Sequence, residues 1–533
     1  MNIRHVGLPL VLLFIPCVTL ITAHALQAAD KSLIIPTTGG QIQGSPRHSG
    51  GAEFLGIPYA QPPIADLRWR EPLAAKPWTG VRSVTTFGAP CSQPALGDWN
   101  RHDAQTGKED CLFLNVIVPE WPVAKPLPVM FWIHGGANEG GTASSALYKD
   151  GTLVNHGVIL VTVNYRLGIF GFLAHPELTA ESAHHSSGNY GLMDQVLALH
   201  WVRDNISRFG GDVNNITVFG QSAGAMDTSM LMTSPLAKDL FQKALAQSGA
   251  AFTAPLLPLA QAEQAGSKLA KAIGAPDRDG QIKHMRTLSS PDLLAALAKL
   301  DQRTRPRVGP DIDGYVLVQQ PAFVFATGLQ SHVPFLYGTT TREFGGNQSA
   351  DQLRTTITFA AGAFAGKALA AYGLANGGQG TTDLKYGTPA DQWSADMIFR
   401  CPSVTQAAWH TAAHNATWEY EFNHAIPGQE AQGAVHSADL PYVFGFFPKT
   451  GNIAGNFTDI DQKLADLIET YWTNFAKTGN PNSSGLPNWP QQGDAGAYIQ
   501  FQQDGNIETG NGLRVAQCDI YRQWLTAQAH PAH

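Results

Sequence analysis

The sequence predicts an α/β protein: a large, mostly parallel β-sheet wrapped by helices. Short apolar runs rich in β-branched and aromatic residues alternate with helical stretches, the pattern of such a layered sheet. Two of the runs, Val129–Ile133 and Val158–Val163, are almost continuously apolar, which suits strands buried on both faces. A third, Ile216–Phe219, enters a turn at Gly220 and leads into a helical segment holding Met226, Met230 and Leu231. Lys243–Gln247 and Val333–Tyr337 read as later strands, and Trp418–Phe422 as one more. Residues 259–304 read as Ala-rich helix broken by Gly274 and Pro276. Such an insertion either caps a site or forms a packed structural helix pair, and the sequence alone leaves both open.

The length of 533 residues permits several domains, but no low-complexity linker, charge block or internal repeat divides the chain. The expectation is one large domain over residues 30–533, with insertions. With 44% hydrophobic and only 14% charged residues, the chain buries a sizeable core and is not disordered. Its net charge of -7 and scattered Lys and Arg give a polyanion no basic stripe to follow, which argues against nucleic-acid binding.

The first residues differ in kind from the rest. Arg4 and His5 precede an apolar run from Val6 to Ile21, and Ala23-His24-Ala25 supplies the small residues a signal peptidase prefers. Residues 1–29 are therefore read as a cleaved export signal, cut after Ala25 or Ala29, which sends the protein to the periplasm or outside the cell. A stable membrane anchor is disfavoured, since Pro9 and Pro16 interrupt a run shorter than the roughly 20 apolar residues that span a bilayer. Cleavage removes Cys17 and leaves Cys91, Cys111, Cys401 and Cys518, an even count that suggests two disulfides in any of three pairings. Asn-x-Ser/Thr sequons at Asn205, Asn215, Asn347, Asn415, Asn456 and Asn482 would carry glycans only in a eukaryotic secretory host.

The chemistry starts from Gly220-Gln221-Ser222-Ala223-Gly224. A G-x-S-x-G run between a strand and a helix makes a sharp turn, with glycines where a β-carbon would clash, and pushes the serine hydroxyl into the open, as in α/β-hydrolases. The helix start adds a dipole favourable to developing negative charge. Upstream, Phe131-Trp132-Ile133-His134-Gly135-Gly136-Ala137 ends a predicted strand in a glycine-rich turn whose backbone N–H groups can meet a substrate oxygen. Its place ahead of Ser222 matches the oxyanion loop of lipases and esterases. A nucleophilic serine needs a base, and the base an acid to fix its tautomer, here in the order serine, acid, histidine. His284, His332, His410, His414, His424 and His436 all lie downstream, as does the C-terminal pair, and composition does not choose among them. His436 stands in a loop ahead of an apolar run, and Glu343 follows the strand Val333–Tyr337 and a polar turn, so its carboxylate leaves the sheet at the carboxyl edge.

Several further stretches resemble the type-B carboxylesterase/lipase family, which includes the cholinesterases. They are Phe54-Leu55-Gly56-Ile57-Pro58-Tyr59-Ala60, Glu109-Asp110-Cys111-Leu112-Phe113-Leu114-Asn115-Val116, Asn164-Tyr165-Arg166-Leu167-Gly168, Gly188-Asn189-Tyr190-Gly191-Leu192-Met193-Asp194-Gln195, and Asn205-Ile206 leading to Phe209-Gly210-Gly211-Asp212. The likeness runs from about residue 33 to 525. It implies an α/β-hydrolase fold with helical insertions over the active site, and hydrolysis of small-molecule carboxylic esters through an acyl-enzyme. It implies Ser222, Glu343 and His436 as the triad, and Gly136, Ala137 and Ala223 as oxyanion-hole donors. Disulfides Cys91–Cys111 and Cys401–Cys518, with Trp99 in the first loop near the entrance, follow from it too, as do ion pairs Arg68–Glu109 and Arg166–Asp194. The implied chemistry calls for no cofactor and no metal.

Three positions depart from the family pattern. Arg342-Glu343-Phe344 stands where many relatives read Asp-Glu-Gly, and Ala137 replaces a third glycine at the oxyanion loop. Gln221 is neutral where cholinesterases and many relatives carry a glutamate, although Asp439, three residues after His436, is a second source of negative charge. The competing reading is a binding or adhesion protein that kept the fold and lost the chemistry. Such relatives usually lack at least one triad residue, and all three are present here.

Overall fold

A computed structural model describes residues 33–529 except 254, 278 and 302, so the export-signal reading lies outside the described residues. An 11-stranded mixed sheet runs through the molecule. In spatial order its strands are Ile507–Asn511, Ala497–Phe501, Thr417–Phe422, Phe335–Thr340, Lys243–Gln247, Gly211–Gln221, Leu127–Ile133, Ile159–Val163, Phe113–Val118, Ala52–Pro58 and Ser45–Pro46. Pairing is parallel from Ala497–Phe501 through to Ile159–Val163 and antiparallel at both edges. The continuously apolar runs occupy the middle: every residue of Ile159–Val163 is buried, as both-face burial requires.

Two apolar layers follow from the two faces of the sheet. Phe131, Val161 and Val218 look into one layer with Leu199 and Leu231, while Trp132, Leu160 and Phe219 look into the other with Phe444, Ile468 and Trp472. The second layer is closed by the helix Asp459–Thr478, which the sequence reading passed over. Its Thr458 cap accepts from Ile460 N, and its period-3.6 face buries Leu464, Ile468, Tyr471 and Phe475.

Helices at Leu259–Ala272, Gln281–Thr287 and Ser290–Ala298 fill the segment read as helical. The contacts that fix it run to Arg68, whose guanidinium donates to Met285 O and Leu288 O, and to Glu177, which accepts from Gly280 N and Gln281 N. It is thus the packed structural element of the two readings. A different insertion, residues 350–412, covers the site by way of Phe399 (below). Within it, Ala350–Gly377 has the length and apolar composition to cross a bilayer. It is broken at Gly362, and it packs Leu353, Ile357 and Ala368 against Tyr372 and Trp393.

Both disulfides pair as the family resemblance implies, Cys91 with Cys111 and Cys401 with Cys518. The first closes a loop of 20 residues, a crosslink expected to contribute about 3 kcal/mol through loss of unfolded-chain entropy. Cys91→Ala/Cys111→Ala is expected to lower thermal stability accordingly, with both crosslinks visible in unreduced peptide maps of the parent. A map joining Cys91 to Cys401 or Cys518 contradicts this connectivity. Asn205, one of the sequons, is buried, and its amide is engaged with Thr38 and Trp201, so it is no acceptor for a glycan.

Candidate active site

Ser222, Glu343 and the Gly136–Ala137 loop leave the carboxyl ends of parallel strands, where open α/β sheets form their crevices. Ser222 follows Gly211–Gln221 directly and precedes the helix Ala223–Leu231, with φ 57 and ψ -125. A non-glycine residue in that conformation is strained by about 1–3 kcal/mol and persists only where its surroundings impose it. They do so here through close approach. A β-carbon on Gly224 would lie 2.0 Å from Ile133 O, and one on Gly135 would lie 2.9 Å from Ser222 Cβ. The backbone N–H of Ser222 donates to Gln247 O at 2.9 Å, which ties the turn to the next strand.

Glu343 lies just past Phe335–Thr340, in an isolated parallel bridge with Val435. That bridge delivers the histidine: His436 N donates to Glu343 O at 3.0 Å, and His436 Nδ1 lies 2.5 Å from Glu343 Oε2. The other carboxylate oxygen accepts from Thr340 N at 2.9 Å. Since an ionised carboxylate only accepts, Nδ1 carries the proton and Nε2 presents its lone pair. The far side of the ring meets Gln221, whose amide nitrogen is 3.1 Å from His436 Nε2. Glu343 is buried, the His436 side chain is 8% exposed, and Ser222 is partly exposed.

Phe344 was found from sequence only as a departure from the family pattern, and Phe399 not at all. Their ring centroids lie 4.3 and 4.6 Å from the His436 ring, and they close it off from the insertion side. The departure from glycine after Glu343 therefore supplies one wall of the histidine pocket. Asp439 sits behind the site: its Oδ2 accepts from Gln247 Nε2 and Tyr420 OH, each at 2.9 Å. Burial pushes its carboxyl above the usual range, with Glu343 adding to the rise.

The loop after Leu127–Ile133 carries Gly136 at φ 118 and Ala137 at φ 57. The alanine donates a backbone N–H as a glycine would, but adopts a left-handed conformation that costs it about 1–2 kcal/mol. His134 is neutral, because burial lowers its imidazole to about 4. Trp99, in the Cys91–Cys111 loop, is 44% exposed. Its ring edge is 3.1 Å from where a β-carbon on Gly136 would stand, so it flanks this loop. Both implied ion pairs form as well, Arg68 to Glu109 at 2.5 Å and Arg166 to Asp194 at 2.7 Å.

Comparison with known proteins identifies the family. The sequence model of the carboxylesterase family matches residues 31–521. The chain is 34% identical over 525 residues to the fumonisin B1 esterase of Sphingopyxis macrogoltabida, covering 92% of this chain and 90% of that one. It is 36% identical over 471 residues to the para-nitrobenzyl esterase of Bacillus subtilis (strain 168), covering 86% and 92%. A solved PNB esterase structure superposes with a TM-score of 0.77 at 33% identity, over 93% of this chain and 100% of the other, and shares the α/β-hydrolase fold. The chain therefore belongs to the carboxylesterase family and is a serine hydrolase acting on carboxylic ester bonds.

Proposed function

We propose that Ser222 is the nucleophile, His436 the general base and acid, and Glu343 the carboxylate that orients the histidine. The hydrogen bond between Glu343 and His436 carries this reading, with the ring's other nitrogen, which the Gln221 amide engages here, turned to the residue before Ser222. Ser222 attacks the ester carbonyl as His436 Nε2 takes its proton. The tetrahedral oxyanion is held by the backbone N–H groups of Gly136, Ala137 and Ala223. The alkoxide leaves with the proton from His436, and water then hydrolyses the acyl-enzyme by the same route in reverse. A fluorophosphonate probe should label the wild type rapidly and Ser222→Ala not at all; labelling that survives the substitution removes the assignment. The rest of the proposal is a single catalytic domain behind a cleaved signal at residues 1–29. The two disulfides suit the oxidising compartment to which that signal leads.

Substrates are small-molecule esters, and the site favours those with an uncharged or acidic alcohol part over cationic ones. The support is Gln221, a buried neutral amide against the histidine. A carboxylate at that position, about 6 Å from a bound cation, would contribute up to about 3 kcal/mol at an effective dielectric near 20. The wild type is therefore expected to turn over a choline ester worse than its uncharged isostere, and Gln221→Glu to shift the ratio of the two kcat/KM values toward choline by up to about 100-fold. Taking the ratio within each variant cancels what the new carboxylate does to His436 itself. A wild type that already prefers choline, or an unchanged ratio, refutes the charge argument. One relative is named for fumonisin B1 and another for para-nitrobenzyl esters, which fits a small-molecule ester as substrate.

A further inference from the structure

We propose that Asn138 and Asp227 form a clasp that fixes the two halves of the oxyanion hole relative to each other. The inference rests on the reading of Gly136, Ala137 and Ala223 as the donors. The first two belong to the loop after Leu127–Ile133, and the third opens the helix Ala223–Leu231. Loop and helix are separate segments, so a side-chain tie between them sets where three N–H groups converge.

That tie is Asn138 Nδ2, one residue past Ala137, donating to Asp227 Oδ1 at 2.9 Å. Asp227 lies four residues after Ala223, on the same face of the helix. Its second oxygen accepts from Gln195 Nε2 at 2.6 Å, which braces it against the helix Tyr190–Asn205. Tyr165 OH lies 2.8 Å from His134 O and 3.1 Å from the carbonyl of the Asn138 amide, so its one hydrogen is shared between the two. Gly168 N also donates to Asn138 O at 2.6 Å. Every polar atom of the asparagine side chain is thus used, at the end of a loop that needs holding. Ala137 and Asn138 are consecutive non-glycine residues at φ 57 and 56, a pair that the backbone alone does not maintain.

The cost of the arrangement argues for a positional role. Asp227 is fully buried, and the groups acting on it among the described residues are two neutral amides, with the Tyr165 phenol nearby and no cation. Burial raises its carboxyl to about 7. An apolar residue would pack there without the cost of desolvating an acid. Protonation does not undo the clasp: Oδ1 still accepts from Asn138. The Gln195 carbonyl, which has no partner among the described residues, can accept the new hydrogen once that amide turns.

The test is an exchange of the two side chains. Asn138→Asp sets a second carboxyl against one that burial already raises to about 7, so the two share a proton near neutral pH and repel once it is lost. Read at about pH 9, it removes the donor, whereas Asn138→Asp/Asp227→Asn restores one donor facing one acceptor and keeps acceptors for Tyr165 and Gln195. The single variant is expected to lose at least about tenfold in kcat with KM little changed, short of the about 10²–10³ that removing a donor outright costs. Its Ki for a trifluoromethyl ketone, which forms a tetrahedral adduct at the serine, should rise in step. The double variant should recover most of both losses. A merely structural role would lower thermal stability and leave the Ki of the folded enzyme alone. If Asn138→Asp does not fold, Asn138→Ala carries the same comparison, since it removes the amide without adding charge. Wild-type kcat and Ki in the single variant, or a double variant no better than the single, overturn the clasp. Turnover retained in Ser222→Ala would instead overturn the site reading on which it rests.

Discussion

Ser222→Ala and His436→Ala are each expected to lower kcat by about 10⁴–10⁶ without unfolding the protein, and the two together to lose little more than either alone. The serine hydroxyl is a poor nucleophile until a base takes its proton, and the base has no substrate of its own, so each is useless without the other. What remains is the contribution of the oxyanion donors and of binding, which the substitutions leave in place. Glu343→Gln should fall by a comparable amount, about 10⁴, for a different reason. The glutamate accepts from Nδ1 at 2.5 Å. An amide there can turn its NH₂ toward the ring, which favours the tautomer whose Nε2 carries the proton and cannot take another. Steady-state rates on an activated aryl ester, with circular dichroism to confirm folding, decide the matter. Near wild-type turnover in the serine or histidine variant removes that residue from the mechanism.

Much of this geometry was legible in the sequence because it rests on local rules. The G-x-S-x-G turn is dictated by crowding between strand and helix, and the distance from Gly224 to Ile133 O shows why no side chain fits. The central parallel strands were read from their apolar runs, with bounds shifted by up to five residues; Val333–Tyr337 became Phe335–Thr340 and Ile216–Phe219 became Gly211–Gln221, while the buried antiparallel strands Ala52–Pro58 and Phe113–Val118 were not read as strands. The edge strand Ile507–Asn511 and its neighbour Ala497–Phe501 were missed, being short and partly exposed with weak apolar signal. Residues that act across the chain were hidden for another reason. Phe399 reaches His436 from an insertion 37 residues earlier, and Asp227 reaches Asn138 across 89 residues; no periodicity encodes such meetings. The choice of His436 among the downstream histidines likewise needed the family likeness, since nothing local distinguishes it from His424, which is also paired to a carboxylate, Asp461, at 2.9 Å.

The second large effect concerns stability. Arg166→Met is expected to cost about 3–5 kcal/mol, with catalysis per folded molecule changed far less. Arg166 follows Ile159–Val163 and lies 3% exposed against Asp194, which is not exposed at all. Its Nε and Nη2 meet the two carboxylate oxygens at 2.8 and 2.7 Å, its own backbone N–H adds a third bond at 2.9 Å, and Nη1 donates to Arg70 O. The guanidinium also lies over the Tyr190 ring, 5.2 Å from its centroid. Methionine fills much of this volume but leaves a buried carboxylate without a cation. Burial already holds the Asp194 carboxyl above its ordinary value in spite of Arg166, so removing the arginine pushes it further up. The sign follows: the native state then binds a proton more tightly than the unfolded chain does, and stability falls as pH rises from the unfolded value near 4 toward the folded one. The gap between wild type and Arg166→Met should therefore be small near pH 4 and widen toward pH 7, read by thermal or urea unfolding. Arg166→Met/Asp194→Leu removes both charges and should recover most of the loss at neutral pH, because an apolar pair of similar volume often matches or exceeds a buried ion pair. Unchanged stability in Arg166→Met, or a double variant weaker than the single one, would show that the pair does not hold the structure as its geometry indicates.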